Sequence, residues 1–185
     1  MSKKIVILNG SPRKGGNTAA LREEFVKGAE YSGHSVMQFN LRKMQIHGCL
    51  GCMKEGKAPT SPCVQKDDMD KIYPFYQDAD IMVLASPMYY WSITSQLKAA
   101  FARLFAVAET DDNYQNPGKE CIMLMAAEGG SDDNWKPVLD YYHTLLGHLS
   151  WKVRGTVLAG GVMNIGDIQG KASLEEAREL GMSIS

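Results

Sequence analysis

A stretch of small, polar and basic residues joins the first apolar run of the chain, residues 5–8, to a segment of helical period. It reads GSPRKGGNT over residues 10–18. Ser11, Asn17 and Thr18 offer hydroxyl and amide donors, and the glycines let backbone N–H groups converge on an anion. The positive end of the following helix adds to that attraction. The stretch therefore predicts a seat for a single phosphate group.

The same loop departs from three better-known phosphate-binding patterns. A dinucleotide fingerprint needs GxGxxG, which residues 10–12 break, and a P-loop needs lysine where Gly16 stands. A phosphatase loop needs a cysteine nucleophile, and the stretch contains none. Two interpretations stay open. One is a metal-free monophosphate site, to which Arg13 adds charge unless it is simply solvated. The other is an ordinary strand-to-helix turn with Asn17 or Thr18 as its N-cap.

A second candidate loop reads SPMYYWS over residues 86–92, directly after another apolar run. Three consecutive aromatic residues, Tyr89, Tyr90 and Trp91, are unusual where a strand ends and the chain meets water. A flat heteroaromatic ligand would explain them, because stacking buries apolar ring area. The alternative is that they belong to the core or to a subunit interface. In either case Ser92 is expected to cap the next helix.

A third loop, AAEGGSDD over residues 126–133, is small and rich in glycine. Its Gly129 and Gly130 would allow the backbone to approach a ring closely. Glu128 can hydrogen-bond a ligand or can simply face solvent, as loop carboxylates usually do.

The apolar pattern shows which elements position these loops. The strands are nearly continuous apolar runs, which is typical of a parallel sheet covered on both faces. Five strands and about five helices predict a doubly wound, three-layer α/β sandwich, in which ligands bind beyond the carboxyl ends of the strands. The predicted strands are 5–8, 34–41, 81–85, 121–126 and 153–159. The predicted helices are about 21–33, 67–76 (capped by Asp67 or Asp68), 93–104, 135–149 and 174–180, with a long loop over 42–66.

Composition narrows the class of protein. The chain has 185 residues, 44% apolar and 22% charged, with a net charge of -1. We expect one domain spanning residues 1–185. The charge balance gives no electrostatic footprint for nucleic acid or an anionic membrane. No apolar run approaches the ~20 residues that span a bilayer, and the N-terminal run is short for a signal peptide. We therefore expect a cytoplasmic protein.

The loop GSPRKGGNT followed by DDMDKIYPFYQDADIMVLASPMYYWSITSQLKAAFAR resembles the NADPH-dependent FMN reductase and iron–sulfur flavoprotein branch of the flavodoxin-like superfamily, from residue 4 to about 160. The resemblance implies a flavodoxin-like α/β/α sandwich with a five-stranded parallel sheet of order 2-1-3-4-5 and FMN at the switch point. It implies cofactor contacts in three groups: Ser11, Arg13, Asn17 and Thr18 around the phosphate; Pro87, Met88, Tyr89, Tyr90 and Trp91 along the isoalloxazine; and Ala127, Glu128, Gly129 and Gly130 at its other edge.

The resemblance also implies an activity. We expect an FMN-dependent NAD(P)H oxidoreductase that reduces small acceptors such as quinones, nitroaromatics or flavins, with no catalytic protein nucleophile because the chemistry is the flavin's. Family members are often homodimers or homotetramers. NADH and NADPH are not distinguished, since no residue is identifiable as an anchor for the 2′-phosphate. The alternatives are an FMN-containing electron carrier that works with a protein redox partner, and a flavin-free binding module.

The cysteines are where the resemblance weakens. In the iron–sulfur members a compact run of four cysteines holds a [4Fe–4S] cluster. Here Cys49, Cys52 and Cys63 match three of them and the remaining one has no counterpart, while Cys121 lies in a predicted buried strand. We therefore predict no bound metal. The three loop cysteines can be free, Cys49 and Cys52 can form a disulfide, or all three can bind zinc with His47.

Overall fold

The computed structural model describes residues 1–53 and 60–185, together with the backbone strand at 55–58. In these parts of the chain the strands are β1 (Lys4–Asn9), β2 (Ser35–Asn40), β3 (Glu55–Ala58), β4 (Ser61–Cys63), β5 (Ile81–Pro87), β6 (Glu120–Ala126) and β7 (Lys152–Ala159). The α-helices are α1 (Asn17–Tyr31), α2 (Tyr73–Asp78), α3 (Ser95–Arg103), α4 (Phe105–Ala108), α5 (Asp132–Leu149) and α6 (Ala172–Met182), and short 3-10 helices cover Leu41–Lys43 and Asp68–Lys71.

The central sheet consists of five parallel strands in the order β2-β1-β5-β6-β7. Counting these five strands alone, this is the order 2-1-3-4-5, so the predicted fold class is confirmed. The chain reverses its direction of winding between β1 and β5. The connections that follow these two strands therefore lead to opposite faces of the sheet, which leaves at their carboxyl ends the crevice where ligands bind in such sheets.

Helices cover both faces of the sheet, as the continuous apolar strands require. Alternate residues of each strand point to opposite faces. Ile5 and Ile7 of β1 pack with α1 and α6, whereas Val6 and Leu8 pack with the layer that contains α2, α3 and α5. No helix among the described residues has both the length and the hydrophobicity needed to cross a bilayer.

Two predicted segments differ from the structure. The loop predicted over residues 42–66 contains an antiparallel hairpin of β3 and β4, while its residues 54 and 59 lie outside the described part. The single helix predicted over residues 67–76 is a 3-10 helix followed by α2. Pro74 in the first turn of α2 lacks the N–H that a continuous helix would need. Asp67 is the N-cap of the 3-10 helix, as predicted, and accepts a hydrogen bond from the Met69 N–H.

Gly10 fixes the first loop against the start of α3. Its N–H donates to the Ala85 carbonyl, at 2.8 Å, and its carbonyl accepts from the Thr94 hydroxyl, at 2.9 Å. A Cβ atom at this position would lie 2.5 Å from Thr94 Oγ1 and 2.7 Å from Leu97 Cβ. Only glycine allows so close an approach, so this residue sets the distance between the first loop and the loop that precedes α3.

We expect Gly10→Ala to lower the free energy of unfolding by about 1–3 kcal/mol, because the added methyl must displace backbone and helix together. Gly147→Ala is the matched control. Its Cβ meets open space on α5, so it should leave stability unchanged or raise it by up to about 1 kcal/mol. Chemical denaturation of both variants measures this, and equal effects would contradict the assigned role of Gly10.

Candidate cofactor site

A cavity of about 250 Å³ lies at the carboxyl ends of β1, β5, β6 and β7. It therefore sits where the strand order predicts a ligand. Four loops contribute to its wall: those that follow β1, β5, β6 and β7. The lining residues are Ser11, Arg13, Gly16, Asn17, Thr18, Pro87, Met88, Tyr89, Ala126, Ala127, Glu128, Val162 and Met163.

The first loop presents unpaired backbone donors to this cavity. Helix α1 begins at Asn17 with Gly16 as its N-cap, and no side chain caps it. The proposed caps Asn17 and Thr18 were therefore wrong. The N–H groups of these three residues have no acceptor in the described part of the chain. Gly15 makes the turn that aims them, with φ at 65°. Together with the helix dipole, they form an arrangement that favours an anion.

The polar side chains of this loop are held in place. Ser11, Asn17 and Thr18 are buried. Asn17 Nδ2 donates to the Asn164 carbonyl at 2.9 Å, and Arg13 Nη1 donates to the Met163 carbonyl at 2.5 Å. These bonds order the loop before any ligand binds. They leave Asn17 Oδ1 buried and without a hydrogen-bond donor among the described residues.

The aromatic loop is a tight hairpin with unusual backbone angles. Tyr89 and Ser92 exchange backbone hydrogen bonds of 2.9 and 3.1 Å. Tyr90 and Trp91 lie between them with φ angles of 48° and 57°. Such angles favour glycine, and each costs of the order of 1–3 kcal/mol in a residue with a side chain. The conformation exposes 94% of Tyr90 and 53% of Trp91.

The structure places only part of this loop on the cavity wall. Pro87, Met88 and Tyr89 line the cavity, whereas Tyr90 and Trp91 lie outside its lining. Their contact with a cofactor stays a prediction. The expectation that Ser92 caps α3 was wrong, because Ser92 is paired with Tyr89. The cap is Thr94, whose Oγ1 accepts from the Leu97 N–H.

Only part of the third loop lies on the cavity wall. Ala127 and Glu128 line the cavity, and Gly129 and Gly130 do not. The two glycines instead allow the chain to pass close to the loop after β7, since a Cβ on Gly160 would lie 2.5 Å from the Gly130 Cα. Their predicted contact with a flavin ring stays a prediction.

Sequence reasoning missed the loop after β7, which supplies Val162 and Met163 to the cavity. The available signal was topological. The last strand of a parallel sheet also ends at the ligand-binding edge, so the residues beyond Ala159 were candidates on the same ground as the other three loops. Gly16 and Ala126 lie in the candidate loops but were not among the predicted cofactor contacts, because they contribute backbone and a methyl group rather than a recognisable functional group.

The cysteine region does not fit a four-thiolate cluster. Cys49 and Cys52 are exposed, Cys63 is buried in β4, and Cys121 is buried in β6 of the central sheet. Burial raises the pKa of the Cys121 thiol to about 12, which disfavours the thiolate that a metal requires. Among the described residues, no three His, Cys, Asp or Glu side chains are grouped closely enough to hold a metal ion. All four cysteines are free thiols in the structure.

A buried ion pair organises the same region. Arg103 Nη1 lies 2.7 Å from Asp67 Oδ2, and the side chains are 1% and 3% exposed. Arg103 also donates to the carbonyls of His47 and Gln65. Burial alone would raise the pKa of Asp67. Hydrogen bonds from Arg103 and from backbone N–H groups, including that of Met69, outweigh burial and hold the pKa below its ordinary value.

The depressed pKa of Asp67 predicts a loss of stability in acid. The carboxylate contributes fully above its unfolded pKa of about 3.9, and the contribution disappears as the pH falls through the folded pKa. We expect Asp67→Asn to lower the free energy of unfolding by about 3–5 kcal/mol at neutral pH, because Arg103 stays buried without its partner. The difference from the unsubstituted protein should shrink as the pH falls.

Denaturant titrations over a range of acidic to neutral pH measure this difference. The double variant Asp67→Asn/Arg103→Met is the control, because it removes the unpaired charge and should recover much of the lost stability. A difference between the single variant and the unsubstituted protein that is the same at every pH would show that the carboxylate charge is not responsible.

The sheet order, with a cavity at its switch point, defines a flavodoxin-like α/β fold. The sequence profile of the NADPH-dependent FMN reductase family matches residues 3–165, and the chain belongs to this family. It is 30% identical to an iron–sulfur flavoprotein of Archaeoglobus fulgidus over 98% of this chain and 79% of that protein. It is 24% identical to YwqN of Bacillus subtilis, a putative NAD(P)H-dependent FMN-containing oxidoreductase, over 85% of each.

Solved structures show the same fold. An NAD(P)H:quinone oxidoreductase from Methanothermobacter marburgensis superposes with a TM-score of 0.74 at 16% identity, over 98% of this chain and 96% of that chain. An FMN-dependent NADH-azoreductase from Bacillus anthracis, solved with FMN, superposes with a TM-score of 0.69 at 15% identity, over 96% and 97%.

The family assigns the activity and the cofactor. The chain is an FMN-dependent NAD(P)H oxidoreductase. The site residues fit a mononucleotide on two observations of the structure. The unpaired N–H groups at the start of α1 suit a phosphate. The buried Asn17 Oδ1, which has no donor, suits a ligand that carries hydroxyl groups.

Proposed function

We propose that the chain binds FMN in this cavity and transfers electrons from NADH or NADPH to small planar acceptors such as quinones, nitroaromatics or flavins. The observation that carries the proposal is the division of one cavity into two ends. Ser11, Arg13 and Thr18 make one end polar and basic, and Pro87 and Met88 make the other apolar. A phosphate joined to a flat ring has the same division.

The polar end supports the phosphate without a metal ion. Its donors are backbone N–H groups at the start of α1, hydroxyl groups and the Arg13 guanidinium. Because they are held in place before binding, little conformational entropy is lost when the ligand arrives. We assign Ser11, Arg13 and Thr18 to the phosphate.

The apolar end supports the ring. The Met88 N–H donates to the Ala126 carbonyl at 2.9 Å, which ties the loop after β5 to the end of β6. Pro87 adds a fixed φ angle. This rigid segment, with Tyr89 and Ala127, can hold one side of an isoalloxazine at a defined height, and the exposed hairpin leaves room for a second ring beside it.

Bound FMN supplies the transfer of a hydride from the nicotinamide to the acceptor. The chain holds the ring, limits which molecules reach it and leaves proton exchange to water. The titratable side chains on the cavity wall are Arg13, Tyr89 and Glu128, and all three are exposed. Among the described residues that line the cavity, no titratable side chain is therefore shielded from water.

Two structures of the same fold support planar acceptors, since one is named a quinone oxidoreductase and the other an azoreductase. The exposed Tyr90 and Trp91 also support them, because aromatic rings stack on planar molecules. We also propose that the chain forms the homodimer or homotetramer that the family resemblance implies.

The proposal predicts the optical behaviour of the purified protein. The FMN-loaded protein should show flavin absorbance. In the absence of air, NADPH or NADH should bleach this absorbance within the time of one turnover, and a quinone should then restore it. The holoprotein is gel-filtered before the measurement, so that the absorbance comes from bound FMN and not from free FMN. Bleaching only after a reduced electron-carrier protein is added would support the electron-carrier alternative and contradict the proposal.

The double variant Tyr90→Ala/Trp91→Ala should raise the KM for bulky planar acceptors roughly three- to tenfold, because it removes aromatic stacking worth about 0.5–1.5 kcal/mol. Binding of FMN should change little, since neither side chain lines the cavity. Tyr114→Ala is the matched control, because Tyr114 is also an exposed tyrosine with positive φ, at 55°, and lies outside the cavity. Unchanged kinetics for several acceptors would remove the hairpin from the acceptor site.

A further inference from the structure

The loop between β7 and α6, residues 160–171, is hydrogen-bonded to two of the loops that line the cavity: the third loop and the first loop. Its first residues continue the pairing of β7 with the third loop. The Gly161 N–H donates to the Glu128 carbonyl, at 2.9 Å, and the Val162 N–H to the Ala127 carbonyl, at 3.0 Å. This attachment brings the next two residues, 163 and 164, over the first loop.

Asp167 fixes the backbone of those two residues. Its Oδ2 accepts hydrogen bonds from the N–H groups of Met163, at 2.9 Å, and Asn164, at 2.7 Å. These bonds lower the pKa of Asp167, so its carboxylate stays ionised at neutral pH. With both N–H groups held by the carboxylate, the two carbonyl groups are directed toward the first loop.

The two carbonyls then decide how the side chains of the first loop are oriented. The Met163 carbonyl accepts from Arg13 Nη1, and the Asn164 carbonyl accepts from Asn17 Nδ2. A carbonyl oxygen cannot donate, so the nitrogen of the Asn17 amide must face it. The amide oxygen, Oδ1, is thereby fixed on the other branch of the side chain.

The oxygen of Asn17 lacks the partner that a buried acceptor needs. The residue lines the cavity and is 8% exposed, and Oδ1 receives no hydrogen bond from the described residues. A phosphate at neutral pH offers mainly acceptor oxygens, because its second pKa is about 6. It cannot satisfy Oδ1 and would repel it. The ribityl chain of FMN carries hydroxyl groups, which can donate.

We propose that Asn17 accepts a hydrogen bond from a ribityl hydroxyl of FMN, and that Asp167 is the positioning residue that orients Asn17 through the backbone of residues 163 and 164. This inference rests on the proposed binding of FMN in the cavity. It differs from the sequence-based expectation, in which Asn17 contacts the phosphate. The loop after β7, which sequence reasoning overlooked, would then help to determine which flavin derivative is bound.

Three FMN analogues, each lacking one ribityl hydroxyl at the 2′, 3′ or 4′ carbon, test the assignment of Asn17. Dissociation constants are measured by quenching of flavin fluorescence on the apoprotein. Asn17→Ala should weaken FMN roughly 3- to 10-fold, the effect of one hydrogen bond. For one analogue the same substitution should have little effect, because the hydroxyl that Asn17 serves is already missing.

Thr18→Val is the matched control, because Thr18 is a buried neighbour that we assign to the phosphate. It should weaken FMN and all three analogues by the same factor. If Asn17→Ala also weakens all four ligands by one common factor, Asn17 does not serve a ribityl hydroxyl and the proposal is wrong.

Asp167 is tested by two substitutions in an exposed loop position. Asp167→Ala should weaken FMN binding several-fold, whereas Asp167→Asn should largely restore it, because the amide oxygen can still accept both N–H bonds. The effect of Asp167→Ala should be smaller in the Asn17→Ala background than in the unsubstituted protein. Fully additive effects in this cycle, or an equal loss in both Asp167 variants, would overturn the positioning role.

The binding experiments on Asn17 and Asp167 can fail or succeed independently of the test of the proposed function. Holoprotein that NADPH or NADH does not bleach would contradict the proposed function while leaving the binding cycle intact. An additive binding cycle in a protein that reduces quinones would contradict only the inference about Asn17 and Asp167.

Discussion

The candidate site depends on a set of backbone N–H groups that have no partner among the described residues. The turn at Gly15 and Gly16 starts α1 with no side-chain cap, so the first donors of the helix are available to a ligand. A helix end normally satisfies these groups with a capping side chain or with water. Here the parallel sheet fixes their position, because β1 is paired on both sides and ends just before the loop. The position of these N–H groups is therefore a consequence of the fold as much as of the loop sequence.

Hydrogen bonds between loops give the cavity beside these N–H groups a defined shape. Asn9 Oδ1 accepts from the Ser11 N–H, and Asn9 Nδ2 donates to Asn40 at the end of β2. On the other side, the loop after β7 supplies carbonyls to Arg13 and Asn17. Asn9, Arg13 and Asn17 are each held by a partner distant in sequence. The cavity is thus largely formed without the ligand, and the residues with strained backbone angles nearest to it, Tyr90 and Trp91, lie in the hairpin that follows Tyr89 on the cavity wall.

Elements that depend on interactions between residues close in sequence could be predicted, whereas those that depend on contacts between distant residues could not. The strands at 81–85 and 121–126 were predictable because a continuous apolar run is a local signal of a covered parallel sheet. The hairpin of β3 and β4 was not, since residues 55–58 read EGKA and carry no alternation. Met163 was also hidden, because it joins the site through a bond to Arg13 across 150 positions of the chain. The residue types and the apolar pattern indicated the three candidate loops, the family resemblance supplied the strand order, and the orientation of Asn17 required coordinates.

The cysteine region shows how a loop can be ordered by charge where thiolates do not supply the ligands. Arg103 donates to the carbonyls of His47 and Gln65 and pairs with Asp67, so one buried guanidinium holds both ends of the segment that carries Cys49, Cys52 and Cys63. Such a pair is costly to desolvate and gives a unique geometry only when nearly all of its donors are used. Among the described residues, Arg103 Nε is the one donor of that guanidinium that is buried without a partner. The ion pair and the two carbonyls therefore tie the residues on either side of this segment, His47 and Gln65, to the end of α3.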